Sequence, residues 1–324
     1  MSTLGLIFIY LKSFVLGLRR KDAFRLPEPV EGYKLCFVGR QHPLFVGIYQ
    51  NDAGKKVVVK CWRGSYRDAR YYFIMHEIRM YTLFAKVLAR SDLPESIKEV
   101  RIPRLLYSCV EQESVMMVQE YVDGTFSRFL SDERCRISTY HKAVEFMHFI
   151  GAHLTPEERC DIPVCSIGTF VITFPLIVAH ALSRHPKRAK QIWRAALGFL
   201  FALPALIKNA QIMSLAHKDL HLGNIILNED GIYVTDLDKC AFTNPMYEYV
   251  VTVLAEWRDA EFRDAVAGQI IAQKRFRDAQ ALFRGFALYR GVHVLADSFW
   301  PESLDELTEF FATRPACGVK DSEA

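Results

Sequence analysis

The sequence has no CxxC pair, and no pair of histidines stands near its eight scattered cysteines at zinc-binding spacing. That distribution argues against a structural zinc site and against a disulfide framework. It fits a reduced, cytoplasm-facing protein. There is no low-complexity tract and no repeat of solenoid period, so an extended repeat array is not expected. Charge of one sign is also scarce. The net charge of +4 gives no argument for a nucleic-acid partner. The first residues lack a leading basic region and an obvious small-residue cleavage site, so a secretory signal peptide is not expected.

What is present is ordinary for a folded chain with a substantial core: 51% hydrophobic and 24% charged residues. A length of 324 residues suggests two lobes. The segment from Tyr33 to Tyr121 is β-rich. Strands are expected at 33–39, 44–50 and 56–62, with a turn at Asn51–Gly54. A long helix is expected over 67–90, where the apolar period becomes helical, followed by a strand pair at 105–110 and 114–121. From Val122 onward helices are expected at 124–132, 138–153, 170–183 and 188–213, with several more between 247 and 313. One short β piece interrupts them: Asn224–Leu227 and Ile232–Thr235 around the hairpin turn Asn228-Glu-Asp-Gly231. The expected organisation is an apolar segment at 1–25, a β-rich lobe at 26–122 and a helical lobe at 123–324.

Three runs are unusually apolar. Leu4–Leu18 precedes Arg19, Arg20 and Lys21 and suits an amphipathic interfacial helix better than a span. Val164–Leu182 carries no formal charge, and Ala195–Ile207 follows a basic cluster at 184–190. The two inner runs read first as buried helices of a large helical lobe, second as a membrane-touching surface and last as a transmembrane span.

The strongest chemical signal is His217-Lys-Asp-Leu-His-Leu-Gly-Asn224, then the hairpin, then Thr235-Asp-Leu-Asp238. Phosphoryl transfer needs a carboxylate near the attacking hydroxyl and oxygen ligands for magnesium. Asp219, Asn224 and Asp236 supply that set. The H-x-D-x-H-x-G-N run resembles the catalytic loop of the aminoglycoside and choline kinases. The spacing of about 17 residues from Asp219 to Asp236 resembles that of eukaryotic-type protein kinases. The resemblance implies an α+β, bilobal protein-kinase-like fold and an ATP- and Mg2+-dependent phosphotransferase. It makes Asp219 the catalytic base and Asn224 and Asp236 the metal ligands. By the same resemblance Lys60, closing the strand Val57-Val-Val-Lys60, meets the ATP phosphates, and Glu77 pairs with it. The stretch Val118–Gly124 resembles the hinge, with backbone groups of Glu120–Val122 meeting adenine. The phosphate-covering loop departs from the pattern: Gly39 and Gly47 flank Arg40–Val46 with no GxGxxG.

Within this fold, Asp236-Leu-Asp-Lys-Cys240 and Asp219–Leu227 look like motifs of the lipopolysaccharide core kinases of the Kdo and heptose type. The likeness covers roughly residues 34–240. It implies a sugar acceptor, on a lipid-linked glycan, at the inner face of the cytoplasmic membrane, reached through peripheral contact. Asp238 reads as a second metal-proximal acid or as a partner of Lys239. The alternatives are a soluble small-molecule kinase of the aminoglycoside or choline type, a protein kinase, and a pseudokinase scaffold. No A-P-E phrase follows Asp238, which weighs against a protein kinase. Lys60, Asp219, Asn224 and Asp236 are all present, which weighs against a scaffold. The oligomeric state is not legible.

Overall fold

The computed structural model describes residues 31–40, 44–64 and 69–296. The apolar segment Leu4–Leu18, residues 41–43 of the expected phosphate loop, and everything after 296 lie outside them. The chain divides into two compact units. Of the described residues, one holds those up to 130, 141–163 and 223–240, and the other 131–140, 164–222 and 241–296.

The first unit is built on a five-stranded antiparallel sheet of order β1-β2-β3-β6-β5. Its strands are β1 (Tyr33–Arg40), β2 (Phe45–Asn51), β3 (Lys56–Arg63), β5 (Leu105–Val110) and β6 (Ser114–Glu120). β2 alternates buried and half-buried residues, the period-two signature of a strand with one covered face. Phe45, Tyr49, Val57, Val59, Cys61 and Val118 form one core cluster on this sheet. The helix α1 (Ala69–Arg90) buries Tyr71, Ile74, Glu77, Tyr81, Phe84 and Val87 along a single stripe. Glu77 is the one carboxylate in that stripe.

A second, smaller sheet of this unit has the order β4-β11-β10-β7. It joins β4 (Val100–Arg101), β7 (Thr125–Phe126), β10 (Ile225–Asn228) and β11 (Gly231–Val234). The β10–β11 hairpin turns on Asn228, whose Oδ1 accepts from the backbone N–H of Asp230 at 2.9 Å and of Gly231 at 3.2 Å. Gly231 has φ +143°, and a Cβ there would lie 2.2 Å from the Glu99 carbonyl oxygen. Only glycine lets β11 run beside β4. Helix α2 (Glu133–Ala152) contributes residues to both units. It is followed by the short α3 (Pro156–Cys160), which opens on a Thr155/Glu158 capping box.

The second unit is mainly helical: α4 (Ile167–Arg184), α5 (Ala189–Lys208), α6 (Pro245–Ala255), α7 (Ala260–Ile271) and α8 (Ala279–Ala296). Phe170, Phe174, Phe199, Tyr247, Phe286 and Tyr289 interlock as ring pairs where α4, α5 and α6 meet α8. A three-stranded sheet, β8 (Val164–Cys165), β12 (Ala241–Thr243) and β9 (Ser214–Ala216), completes the unit.

Several expectations need correction. Residues 124–132 are not a helix. Thr125 and Phe126 pair with Leu227 and Ile226. A Cβ on Gly124 would lie 2.4 Å from the Leu227 carbonyl oxygen, so pairing with a distant strand overrides local propensity. The hairpin is also not the only β piece after Val122. β7, β8, β9 and β12 are two or three residues each, too short to carry a period. The helix expected over 188–213 stops at Lys208, because Asn209 turns its buried side chain back to the Ala205 and Arg277 carbonyls. The inner apolar runs do form helices, but α4 and α5 are not wholly buried. Ile172 and Phe201 are 61% and 84% exposed.

Candidate active site

In the first unit, β3 and α1 bring Lys60 and Glu77 together. The Lys60 Nζ donates to Glu77 Oε1 and to Asp236 Oδ1, both at 2.6 Å. The lysine and the glutamate are almost completely buried, whereas the Asp236 side chain is 41% exposed. A buried charge is tolerated only when paired, and here one ammonium answers two carboxylates. Burial pulls the Lys60 ammonium down. The neighbouring Asp236 and Glu77 outweigh it and hold the lysine charged well above its ordinary range. Burial pushes the Glu77 carboxyl up, with Lys60 opposing and Asp236 adding.

Asp236 has φ +65° and ψ +52°, a left-handed conformation that non-glycine residues seldom adopt. It leaves β11 there and enters the single turn Leu237–Lys239. The hairpin register pairs Ile225 with Val234, and the Asn224 carbonyl accepts from the Thr235 N–H at 3.0 Å. Asn224 and Asp236 thus flank the open end of one hairpin. Beside them Asp238 has a carboxyl raised well above its ordinary range by burial and by the Asp236 charge. Its Oδ1 is sealed from solvent without a hydrogen-bond partner among the described residues.

Among the described residues no group of three or more His, Cys, Asp or Glu side chains is placed to hold a metal ion alone. Magnesium asks less of a protein: one or two hard oxygens, with water and phosphate supplying the rest. The carboxylate of Asp236 and the amide oxygen of Asn224 are donors of that kind. Their place at one hairpin mouth fits such an ion.

Glu120 ends β6, and its backbone N–H is committed to the Arg104 carbonyl at 2.9 Å. Its carboxylate takes Arg104 at 3.2 Å. Burial would raise that carboxyl, but Arg104 outweighs it and holds it below the usual range. Val122 follows in the half-buried extended stretch between β6 and β7.

Asp219 belongs to the second unit, and the loop that carries it is fastened through its backbone. Lys218 has φ +64°. Its N–H donates to Glu248 Oε2 at 2.7 Å, the Leu220 N–H to Glu248 Oε1 at 3.1 Å, and the Leu222 N–H to Glu256 Oε1 at 3.1 Å. The Thr252 hydroxyl donates to the Leu220 carbonyl. Alternate amides of the loop are therefore claimed from one side of α6 and its C-terminal residue. The strained lysine is held by contacts that over-determine it. Glu248 is pushed up to about 7 by burial, against the backbone N–H groups of Lys218 and Leu220 that favour its ionised form. Arg290 of α8 brings Nη2 to 3.6 Å from Asp219 Oδ1.

The clamp was missed in the sequence, although a signal existed. Glu248, Thr252 and Glu256 recur at i, i+4 and i+8 in an otherwise apolar segment, so they share one helix face. Three polar residues aligned on a buried helix must each find a partner. Arg290 carried no comparable signal, since its approach to Asp219 depends on tertiary packing.

A model of the phosphotransferase enzyme family matches residues 49–283, well over half of the chain. No curated protein matches the sequence. Among solved structures, a spectinomycin phosphotransferase with ADP and spectinomycin superposes with a TM-score of 0.53 at 12% identity, over 95% of each chain. An aminoglycoside phosphotransferase with ADP and hygromycin B gives 0.57 at 12% identity, over 87% of this chain and 90% of that one. One from Streptomyces rimosus, with ADP and streptomycin, gives 0.51 at 16% identity over 87% and 98%. At such identities the likeness speaks for the fold, which is α+β and protein-kinase-like. The family match carries the rest: the chain belongs to the phosphotransferase enzyme family and is an ATP-dependent kinase.

Proposed function

We propose that the chain moves the γ-phosphoryl group of ATP to a hydroxyl of a negatively charged sugar, on a lipid-linked glycan such as the lipopolysaccharide inner core, at the cytoplasmic face of the membrane. Asp219 is the catalytic base: its carboxylate takes the proton as the acceptor oxygen bonds to the γ-phosphorus and the bond to the departing ADP oxygen breaks. Lys60 meets the ATP phosphates, and Glu77 keeps it aimed when phosphate replaces Asp236 as its second partner. Asp236 and Asn224 hold magnesium, which when bound offsets the charge on the phosphate oxygens. The backbone of Glu120–Val122 meets adenine.

Arg290 carries the choice of acceptor. A guanidinium 3.6 Å from the base suits an acceptor with a carboxylate or phosphate and disfavours an amine. The second reading, a soluble kinase for amine-bearing small molecules, draws support from the named ligands of the similar structures, streptomycin and spectinomycin among them.

The deciding experiment measures ATP consumption against sugar acids, sugar phosphates and aminoglycosides, with Asp219→Asn as the blank. Turnover confined to the anionic sugars is expected. Arg290→Gln should then raise their KM at least tenfold with a smaller change in kcat. Turnover confined to amine-bearing acceptors would overturn the anionic assignment.

A further inference from the structure

Helices α4 and α5 are apolar on both sides. Their inner faces, through Phe170, Phe174, Phe199 and Ala202, pack with α8. On α4 the exposed apolar residues are Gly168, Val171, Ile172, Pro175, Leu176 and Ala179. They recur at i, i+3, i+4, i+7, i+8 and i+11, one stripe of a helix. On α5 the exposed Trp193, Leu197, Leu200, Phe201, Pro204 and Ile207 do the same. Phe201 is 84%, Ile207 66% and Trp193 56% exposed. Soluble monomers seldom leave two neighbouring apolar stripes of this length in water. Both helices are long and apolar enough to cross a membrane. Their inner faces are already committed to α8, however, which leaves only the outer faces to meet another phase.

The segment that carries these stripes has charge of one sign. Between Asp161 and Asp219 the chain has no acidic residue. Arg184, Lys187, Arg188, Lys190 and Arg194 gather where α4 turns into α5, and at the far end Lys208 pairs with Asp278 at 2.7 Å. From these two observations we infer that the outer faces of α4 and α5 form a docking surface for an anionic lipid bilayer. Apolar side chains enter the acyl boundary while the basic residues of the turn meet headgroups. An apolar face rimmed by lysine and arginine is the composition of an in-plane interfacial helix. A second copy of the chain would set one basic, acid-free helix pair against another, which charge opposes. The inference concerns where the protein sits and holds whatever its acceptor is.

Among the described residues Trp62 and Trp257 are buried while Trp193 lies on the outer stripe, so with Trp300→Phe in every protein used Trp193 serves as the reporter. The test is co-sedimentation of the full chain with phosphatidylcholine vesicles, with and without 3 parts in 10 of phosphatidylglycerol (about 30%, enough to give a negative surface). Binding at least tenfold tighter to the anionic vesicles is expected, with a blue-shifted emission that brominated lipid quenches and Trp193→Phe removes. The double variant Leu197→Glu/Phe201→Glu should weaken binding at least tenfold. Lys187→Glu/Lys190→Glu should weaken it several-fold and flatten its salt dependence. All four positions face outward, so thermal melts should match the wild type, and ATP turnover on a water-soluble acceptor should not change. Wild-type binding by both double variants would overturn the inference and move the anchor to another segment, Leu4–Leu18 first. A wild-type dimer that these variants dissociate, with no vesicle binding, would overturn it in favour of self-association.

Discussion

The two parts of the candidate site are held by different means. In the first unit, side chains hold side chains: Lys60, Glu77 and Asp236 fix one another by charge at 2.6 Å. In the second, Glu248, Thr252 and Glu256 hold the backbone of the loop, and the Asp219 side chain lies against Arg290. A triad of charges can exchange partners when phosphate arrives. A backbone clamp has no partner to exchange and can only position. On the proposed reading, the first arrangement suits groups that move toward a ligand, and the second suits a base held in place.

The largest effect should come from the side chain that the clamp presents. Asp219→Asn keeps the loop's backbone bonds, so the fold should be intact while turnover falls by about 10² to 10⁴. Single-turnover kinetics would measure it, and activity within threefold of wild type would remove Asp219 from the role. Next comes the triad. Asp236→Ala should abolish the magnesium dependence of ATP affinity, whereas Asp219→Ala should keep it. Titrating magnesium against ATP affinity for both variants separates the two parts, and equal dependence would break the distinction.

The subtlest test addresses the clamp itself. Glu248→Gln turns an N–H donor toward one of the two loop amides, so one buried amide loses its acceptor, at about 1–3 kcal/mol. The expected result is a kcat about tenfold lower with KM for ATP unchanged. The pH dependence gives the second readout. The folded-state pKa of Glu248 is raised by burial from its ordinary value of 4.5 to about 7, so the native state binds the proton more tightly. That contribution to stability is fully present below about 4.5 and is lost as pH rises through about 7. Denaturant unfolding at pH 5 and pH 8 should therefore show a larger fall in stability for the wild type than for Glu248→Gln. An equal fall in both would mean that Glu248 does not titrate in this window.

The same contrast governs how much could be read beforehand. The pairing of Lys60 with Glu77 was legible because a lysine closing an apolar strand and a glutamate inside the following helix leave a spacing in the chain. The five-stranded sheet and α1 were legible because their periods are long enough to register. Glu248 was overlooked because its alignment with Thr252 and Glu256 marks a polar stripe on a buried helix without saying which loop that stripe meets. The strand at Thr125–Phe126 was illegible for another reason. Two residues have no period, and their conformation is imposed by Ile226 and Leu227, about a hundred positions away.

The buried stripe of α1 also bears on the order in which the chain assembles. Glu77 sits among Ile74, Met80, Tyr81 and Phe84, and the nearest compensating charge belongs to β3. A helix that docked before β3 was laid down would carry an unanswered carboxylate into an apolar layer, at a cost of several kcal/mol. The cheaper route lays the sheet first and seats the helix afterwards. Lys60→Met would then slow refolding as well as weaken ATP positioning, because the helix would have to arrive with its carboxylate protonated.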